Sequence, residues 1–297
     1  MNVESVALIL TRSRAADFLE LTKPRITLLV LATTMVGFYL AAPASIPLAL
    51  LSHTLLGIGL VAGGASALNM WLERRPDSLM RRTAGRPLPS GRLQSGHALS
   101  FALVLSGAGL VYLFLWVNHL TSALAVITLL TYLFLYTPLK TRTWLCTLVG
   151  AVPGALPPIL GWIAATGKIS LGGILLFVIV FLWQLPHFYA IGWMYREDYA
   201  RAGFPMLPVI DTTGRRTGWQ ASAYIQARIL VTLLPTAAGL AGFLYLVGAV
   251  LSGICFLVCG VLFARLRDFV SARRLFVVSV FYLPLLMALL VIDKASP

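Results

Sequence analysis

Apolar stretches of roughly 17 to 25 residues recur along this chain, the length an α-helix needs to cross about 30 Å of hydrocarbon, and short polar clusters separate them. Hydrophobic residues fill 59% of the 297 positions and charged residues 11%, too little polar surface to cover a water-soluble globule. The expectation is an all-α, polytopic membrane helical bundle forming a single domain over 1–297, with the lipid bilayer as its solvent. Spans are read near 25–42, 47–72, 97–116, 120–137, 145–164, 170–193, 223–246, 248–264 and 275–292, about nine in all. The break between the seventh and eighth rests on the region of Gly248 and Gly253.

The cations orient the bundle. They fall at Arg12, Arg14, Lys23 and Arg25, at Arg74 to Arg92, at Lys140 with Arg142, at Arg196 to Arg228 and at Arg265 to Arg274, leaving Lys168 and Lys294 for the opposite face. With nine spans the large groups share one side, which the positive-inside rule makes the cytoplasm. The N-terminal segment 1–24 is then cytoplasmic, the C-terminus outside, and the cell inner (cytoplasmic) membrane the expected setting, with the active site on its cytoplasmic side. This topology accounts for most of the +13 formal charge, so no nucleic-acid partner is expected. The N-terminal residues have no short apolar core with a cleavage site, so a removable signal is not expected. Cys146, Cys255 and Cys259 fall within spans and read as buried apolar thiols.

Two cytoplasmic connections, 73–96 and 194–222, are longer than a bundle needs merely to turn, and function is sought there. They follow the second and sixth spans, four helices apart, which hints at two related four-helix halves. Only ten Asp and Glu occur in the chain, and Glu73, Asp77, Glu197 and Asp198 are at the ends of those two spans. Asn69, Glu73 and Asp77 are spaced by four, a step of about 40° on a continuous helix, so their oxygens share one face. Pro76 opens or kinks that helix before Asp77. Two carboxylates and an amide suit Mg²⁺, which completes its shell with water and phosphate oxygens. Interfacial charge pairing is the plainer account of the same acids. Arg81, Arg82 and Arg86 follow closely, and guanidinium forks beside such a metal site are what a departing diphosphate needs.

The stretch Asn69-Met-Trp-Leu-Glu73-Arg-Arg-Pro-Asp77, with Met80 to Gly91 after it, resembles the first Asp-rich motif of the intramembrane aromatic prenyltransferase superfamily. Trp183-Gln-Leu-Pro-His187-Phe-Tyr-Ala-Ile and Arg196-Glu-Asp198 through Val209 resemble the signature of the haem O synthase (protohaem IX farnesyltransferase) family. Leu21 to Arg25, Tyr136 to Arg142 and Gly150 to Pro158 extend the likeness to most of the chain. Glu73 and Arg75 stand where that family commonly carries aspartates; glutamate remains an oxygen ligand, whereas Arg75 cannot ligate a cation.

The resemblance implies farnesyl diphosphate as donor and haem B as acceptor. It implies Mg²⁺ held by Asn69, Glu73 and Asp77, with Asp198 as a further participant. Arg82, Arg86, Lys140 and Arg142 would neutralise the diphosphate, and Lys23 and Arg25 either reach it or anchor the topology. Ionisation at the allylic carbon, attack by a porphyrin vinyl group and capture of water would give a hydroxyethylfarnesyl side chain. His187 is the expected haem contact, with Trp183 beside it; Trp183, Phe188 and Tyr189 either stabilise the cation or pack helices. His53, His97 and His119 read as structural. A haem-handover partner, haem A synthase or a terminal oxidase, follows by analogy alone. The rival readings are a prenyltransferase acting on a quinone precursor or chlorophyllide, and, in a different class, a secondary transporter.

Overall fold

The computed structural model describes residues 13–42 and 46–295; Arg12 lies outside the described residues. A short helix α1 (Arg14–Leu21), capped by the Ser13 hydroxyl on the Ala16 amide, precedes α2 (Pro24–Ala41) and α3 (Leu48–Leu72). The short α4 (Arg74–Leu79) leads through a long loop to α5 (Ser95–Trp116) and α6 (His119–Leu139). Then come α7 (Cys146–Thr166), α8 (Leu171–Met194), the short α9 (Arg196–Arg201) and α10 (Leu207–Ile210), and finally α11 (Arg215–Ala237), α12 (Phe243–Leu266) and α13 (Phe269–Ile292). Among the described residues the β structure is one isolated bridge, Ala241 to Lys294.

Among the described residues eight of the nine long helices are apolar and long enough to cross a membrane; α11 is the exception. Its polarity comes from Arg215, Arg216, Gln220, Gln226 and Arg228. The turn after it is at Ala238 to Gly242, with Gly239 in the left-handed region at φ 68°, several residues before the break expected at Gly248. Gly248 lies inside α12 instead, and a Cβ there would collide with Leu289 on α13, so it is a close-packing glycine and not a turn.

Because α11 begins at Arg215, Arg228 does not belong to the polar connection where the charge pattern grouped it. Thirteen residues into the helix, or ~20 Å at ~1.5 Å per residue, it is fully buried between α12 and α13. Its guanidinium lies 3.6 Å from the ring centroid of Tyr282 and 5.0 Å from that of Phe256, and Gly253 leaves it room. Cation–π attraction compensates part of its desolvation. Of the three thiols expected to be buried, Cys146 is, Cys259 is partly so, and Cys255 is exposed on the outer face of α12.

Helices α2, α3, α5 and α6 pack in chain order, as do α7, α8, α11 and α12; α7 joins the groups by packing on α2, and α13 closes against α12, α8 and α2. The α2–α7 crossing is backbone on backbone: a Cβ on Gly37 would collide with the carbonyl of Pro158, and one on Gly161 with that of Thr34. Small residues at such a crossing let dispersion act where no hydrophobic effect operates between helices in lipid. Gly161→Val is expected to destabilise the bundle by about 3 kcal/mol or more, read as a fall in thermal midpoint in detergent. An unchanged midpoint would show that the two helices can part without cost. At the far end Lys294 donates to the carbonyls of Tyr39 (2.9 Å) and Ala42 (2.8 Å), closing the C-terminus of α2.

Candidate active site

Between α2, α3, α6, α7, α8 and α13 lies a cavity of about 480 Å³. Its walls are apolar for most of their length: Val30, Ile58, Val61, Leu160, Val180 and Leu283 among them. Its mouth is polar, and there the structure gathers Lys23, Asn69, Glu73, Asp77, Arg82, Arg86 and Lys140. Residues more than a hundred positions apart thus meet because the charged helix ends cannot enter hydrocarbon and collect at one end of the bundle.

Local chain geometry aims these groups. Helix α3 stops at Leu72, and Glu73 takes φ −88° and ψ 6° as the hinge to α4. The Asp77 amide then donates to the Glu73 carbonyl at 2.8 Å, so Asp77 turns back toward Asn69. The opening expected from Pro76 therefore occurs one turn earlier, where proline has no amide to give. Lys23 adopts a left-handed conformation at φ 47°, uncommon without glycine, and this sends its ammonium to Asn69 Oδ1 at 2.9 Å. Asn69 Nδ2 donates to Thr137 Oγ1 at 3.2 Å. Thr137 follows a π-helical segment of α6, Thr131–Tyr136, which brings Tyr132 and Tyr136 onto the cavity wall.

The carboxylates are buried and paired. Lys140 Nζ lies 2.6 Å from Glu73 Oε1, and Arg86 Nη1 lies 2.6 Å from Asp77 Oδ2. Asp77 Oδ1 is buried and has no hydrogen-bond partner among the described residues, an orphan acceptor that calls for a cation or donor. Burial opposes ionisation of Glu73, yet Lys140 beside it, with help from Lys23, holds its carboxyl below the ordinary value. Burial likewise disfavours charged Lys140, but Glu73 outweighs it and raises the ammonium well above its usual range. Lys23 is lowered to about 8, first by burial and then by the nearby Arg86. Four cations face two carboxylates at this mouth, and the surplus positive potential suits a multivalent anion.

Other expected residues are elsewhere. Arg25 and Arg142 are exposed and do not line the cavity, because each projects outward from a helix end whose neighbour, Lys23 or Lys140, points inward. Asp198 is buried behind the mouth and is not a cavity-lining residue: Arg201 pairs with one carboxylate oxygen, and the Arg82 amide donates to the other at 3.3 Å. It thereby ties the two long loops together, helped by Tyr199, whose hydroxyl accepts from Arg82 Nη2 at 3.2 Å. Glu197 is exposed. Among the described residues no three His, Cys, Asp or Glu side chains cluster as a metal site.

His187 and Trp183 line the cavity and stack with ring centroids 5.0 Å apart. Ser279 spends its hydroxyl proton on the Phe276 carbonyl (2.5 Å), so it can only accept from His187 Nδ1 (2.7 Å). That hydrogen bond leaves Nε2 as the ring's lone-pair nitrogen. Phe188 joins the lining, whereas Tyr189 is buried in the core and donates to Gln220, away from the cavity. His53 bonds Tyr112 at 2.7 Å, and His119 packs on Phe114, as structural histidines do. Thr137, Tyr132, Tyr136, Tyr199 and Phe204 were not among the expected site residues, although all but Tyr132 lie in the stretches that carry the family resemblance, so membership of those stretches was the available signal.

Residues 30–287 match the model of the UbiA prenyltransferase family. The protoheme IX farnesyltransferase of Solibacter usitatus (strain Ellin6076) is 51% identical over 287 residues, covering 94% of this chain and 98% of that protein. That of Koribacter versatilis (strain Ellin345) is 44% identical, covering 94% and 93%. A solved structure of digeranylgeranylglyceryl phosphate synthase superposes with a TM-score of 0.80 at 17% identity, over 94% of this chain and 98% of that one. A UbiA homolog from Archaeoglobus fulgidus, bound to GPP and Mg²⁺, does so at 0.67 and 14% identity, over 92% and 99%. With both its sequence and its fold matched over nearly its whole length, the chain is a multi-pass membrane protein that belongs to the UbiA prenyltransferase family.

Proposed function

We propose that this prenyltransferase transfers a farnesyl group from farnesyl diphosphate to a vinyl group of haem B, giving the hydroxyethylfarnesyl side chain of haem O. The observation that carries the reading is one cavity whose mouth holds four cations and two carboxylates and whose body is hydrocarbon. A diphosphate at the mouth leaves its prenyl chain among the apolar side chains of the cavity body. The relatives at 51% and 44% identity carry the same activity in their names.

The oxygens of Asn69, Glu73 and Asp77, with the orphan Asp77 Oδ1 among them, fit Mg²⁺. When bound there, the ion supplies charge neutralisation of the diphosphate. Lys23, Arg82, Arg86 and Lys140 bind the remaining phosphate oxygens, so the allylic C–O bond breaks with its electron pair left on the diphosphate. Tyr132, Tyr136, Phe188 and Trp183 enclose the allylic carbon, present π faces to the cation and keep water from it. The vinyl carbon of haem attacks, and water adds to the resulting cation with loss of a proton. His187 offers its Nε2 lone pair to the iron of the haem substrate, and Trp183 fixes the ring by stacking. The charged helix ends face the cytoplasm of the inner membrane, with α11 as the ninth span.

Asp198 acts as a positioning residue through Arg82. Asp198→Ala is expected to raise KM for farnesyl diphosphate about tenfold with a smaller change in kcat, since it loosens an arginine without removing it. A fall in kcat at unchanged KM would assign Asp198 to the reacting centre instead. The function itself is tested by giving membranes with this protein haem B, farnesyl diphosphate and Mg²⁺. A more retained, hydroxyethylfarnesylated haem is expected on chromatography; unchanged haem with intact protein would overturn the assignment, and a prenylated quinone precursor or chlorophyllide would redirect it. Transport is the weaker alternative, because a transporter holds its substrate near the bilayer midplane, whereas every charged side chain that lines this cavity is at its mouth.

A further inference from the structure

On three of the helices that wall it the cavity ends at a similar depth. On α3 its lining runs from Asn69 to Ile58, eleven residues or ~16 Å at ~1.5 Å per residue. On α2 it runs from Lys23 to Thr33 and on α8 from Ile191 to Val180, again ~15 to 16 Å. Ile58 and Leu160 are the deepest lining residues of α3 and α7, both almost wholly buried. Beneath them Leu113 and Ile163 belong to the same packed apolar cluster, so the floor is solid and not a constriction.

An extended carbon chain advances ~1.2 Å per bond, a third of the ~3.5 Å spanned by the three backbone bonds of a residue. The twelve-carbon main chain of a farnesyl group therefore measures ~13 Å, and the sixteen-carbon main chain of a geranylgeranyl group ~18 Å. With the diphosphate at the mouth, three isoprene units fit above the floor and a fourth would enter it.

Resting on the prenyl-transfer reading above, we propose that Ile58 and Leu160 set the length of the transferred chain at three isoprene units. Each substitution to Ala removes three carbons, so the pair removes six, against five in one isoprene unit. Close packing leaves the surrounding side chains little freedom to refill that space. Ala125, which lines the same end of the cavity from α6, offers the opposite change: a larger side chain there raises the floor.

The test is a competition among geranyl, farnesyl and geranylgeranyl diphosphates at equal concentration, with haem B and Mg²⁺, the product read by mass spectrometry. The unaltered protein is expected to prefer farnesyl over geranylgeranyl by about 100-fold. I58A/L160A should bring that ratio within about tenfold, and A125L should shift the preference to geranyl. The proposal is overturned if I58A/L160A still transfers farnesyl with the original ratio, or if A125L keeps farnesyl first. Should the double variant fail to fold, A125L decides the matter. The preference is also read without acceptor, as the diphosphate retained by the purified protein from the same mixture. Failure to prenylate haem with a sharp length preference would sink the acceptor assignment and leave this inference standing.

Discussion

Asp77→Asn is expected to lower kcat by about 10²- to 10³-fold while the protein remains folded and still binds farnesyl diphosphate. Asparagine keeps the shape of the side chain, and the Asp77 carbonyl still accepts from Thr83 at 2.8 Å, so the loop through Arg86 retains its anchor. What disappears is the negative charge at a buried oxygen that has no partner of its own. Arg86, released from its 2.6 Å pair, stays at the mouth and remains available to the diphosphate. Ground-state binding should therefore survive while stabilisation of the departing charge does not, which separates kcat from KM. Full turnover in this variant, measured on haem and farnesyl diphosphate at saturating Mg²⁺, would refute the acidic site even if the family assignment stands.

Lys140→Met should do two kinds of damage. Lys140 lies 2.6 Å from Glu73, and both are largely shielded from solvent. Removing the ammonium leaves a buried carboxylate unpaired, a loss of about 3 kcal/mol or more. The group that holds the Glu73 carboxyl below its ordinary value against the pull of burial is also gone, so Glu73 tends to take up a proton. The expected result is a lower thermal midpoint together with a fall of about 10²-fold or more in kcat/KM. Adding Glu73→Gln to Lys140→Met should recover much of the midpoint, since no buried charge is then left alone, and none of the activity. Recovery of activity by the double variant would mean that the pair serves packing and not chemistry.

Much of the architecture was legible because the bilayer imposes a length on helices that the apolar runs report directly. The sixth span, read at 170–193, is helix Leu171–Met194. The seventh misled for a physical reason: Gly248 and Gly253 look like turn glycines in a string, but their missing side chains admit Leu289 and Arg228 from neighbouring helices. Arg228 itself reads as an interfacial anchor in one dimension, since nothing in the string announces the aromatic rings of Tyr282 and Phe256 that surround it.

Within the site, the spacing of Asn69, Glu73 and Asp77 was sufficient to place their oxygens together, since neighbouring turns of one helix and its hinge are a local matter. Which cations join them was not local. Lys23 points inward and Arg25 outward, and Lys140 inward and Arg142 outward, although each pair is two residues apart and chemically equivalent. Asp198 shares its acidity with Asp77 but faces Arg201 and the Arg82 amide.

Periodic hydrophobicity and charge thus determined that this chain spans a membrane as helices with an acidic and basic face at one end, because the cost of exposing backbone and charge to hydrocarbon acts on every residue independently of its neighbours in space. Only the tertiary structure decided which side chains enclose the cavity, how deep it runs and which carboxylate is left without a partner. Those depend on distances between helices, set by packing at contacts such as Gly37 on Pro158 and Gly161 on Thr34, and no one-dimensional pattern carries them.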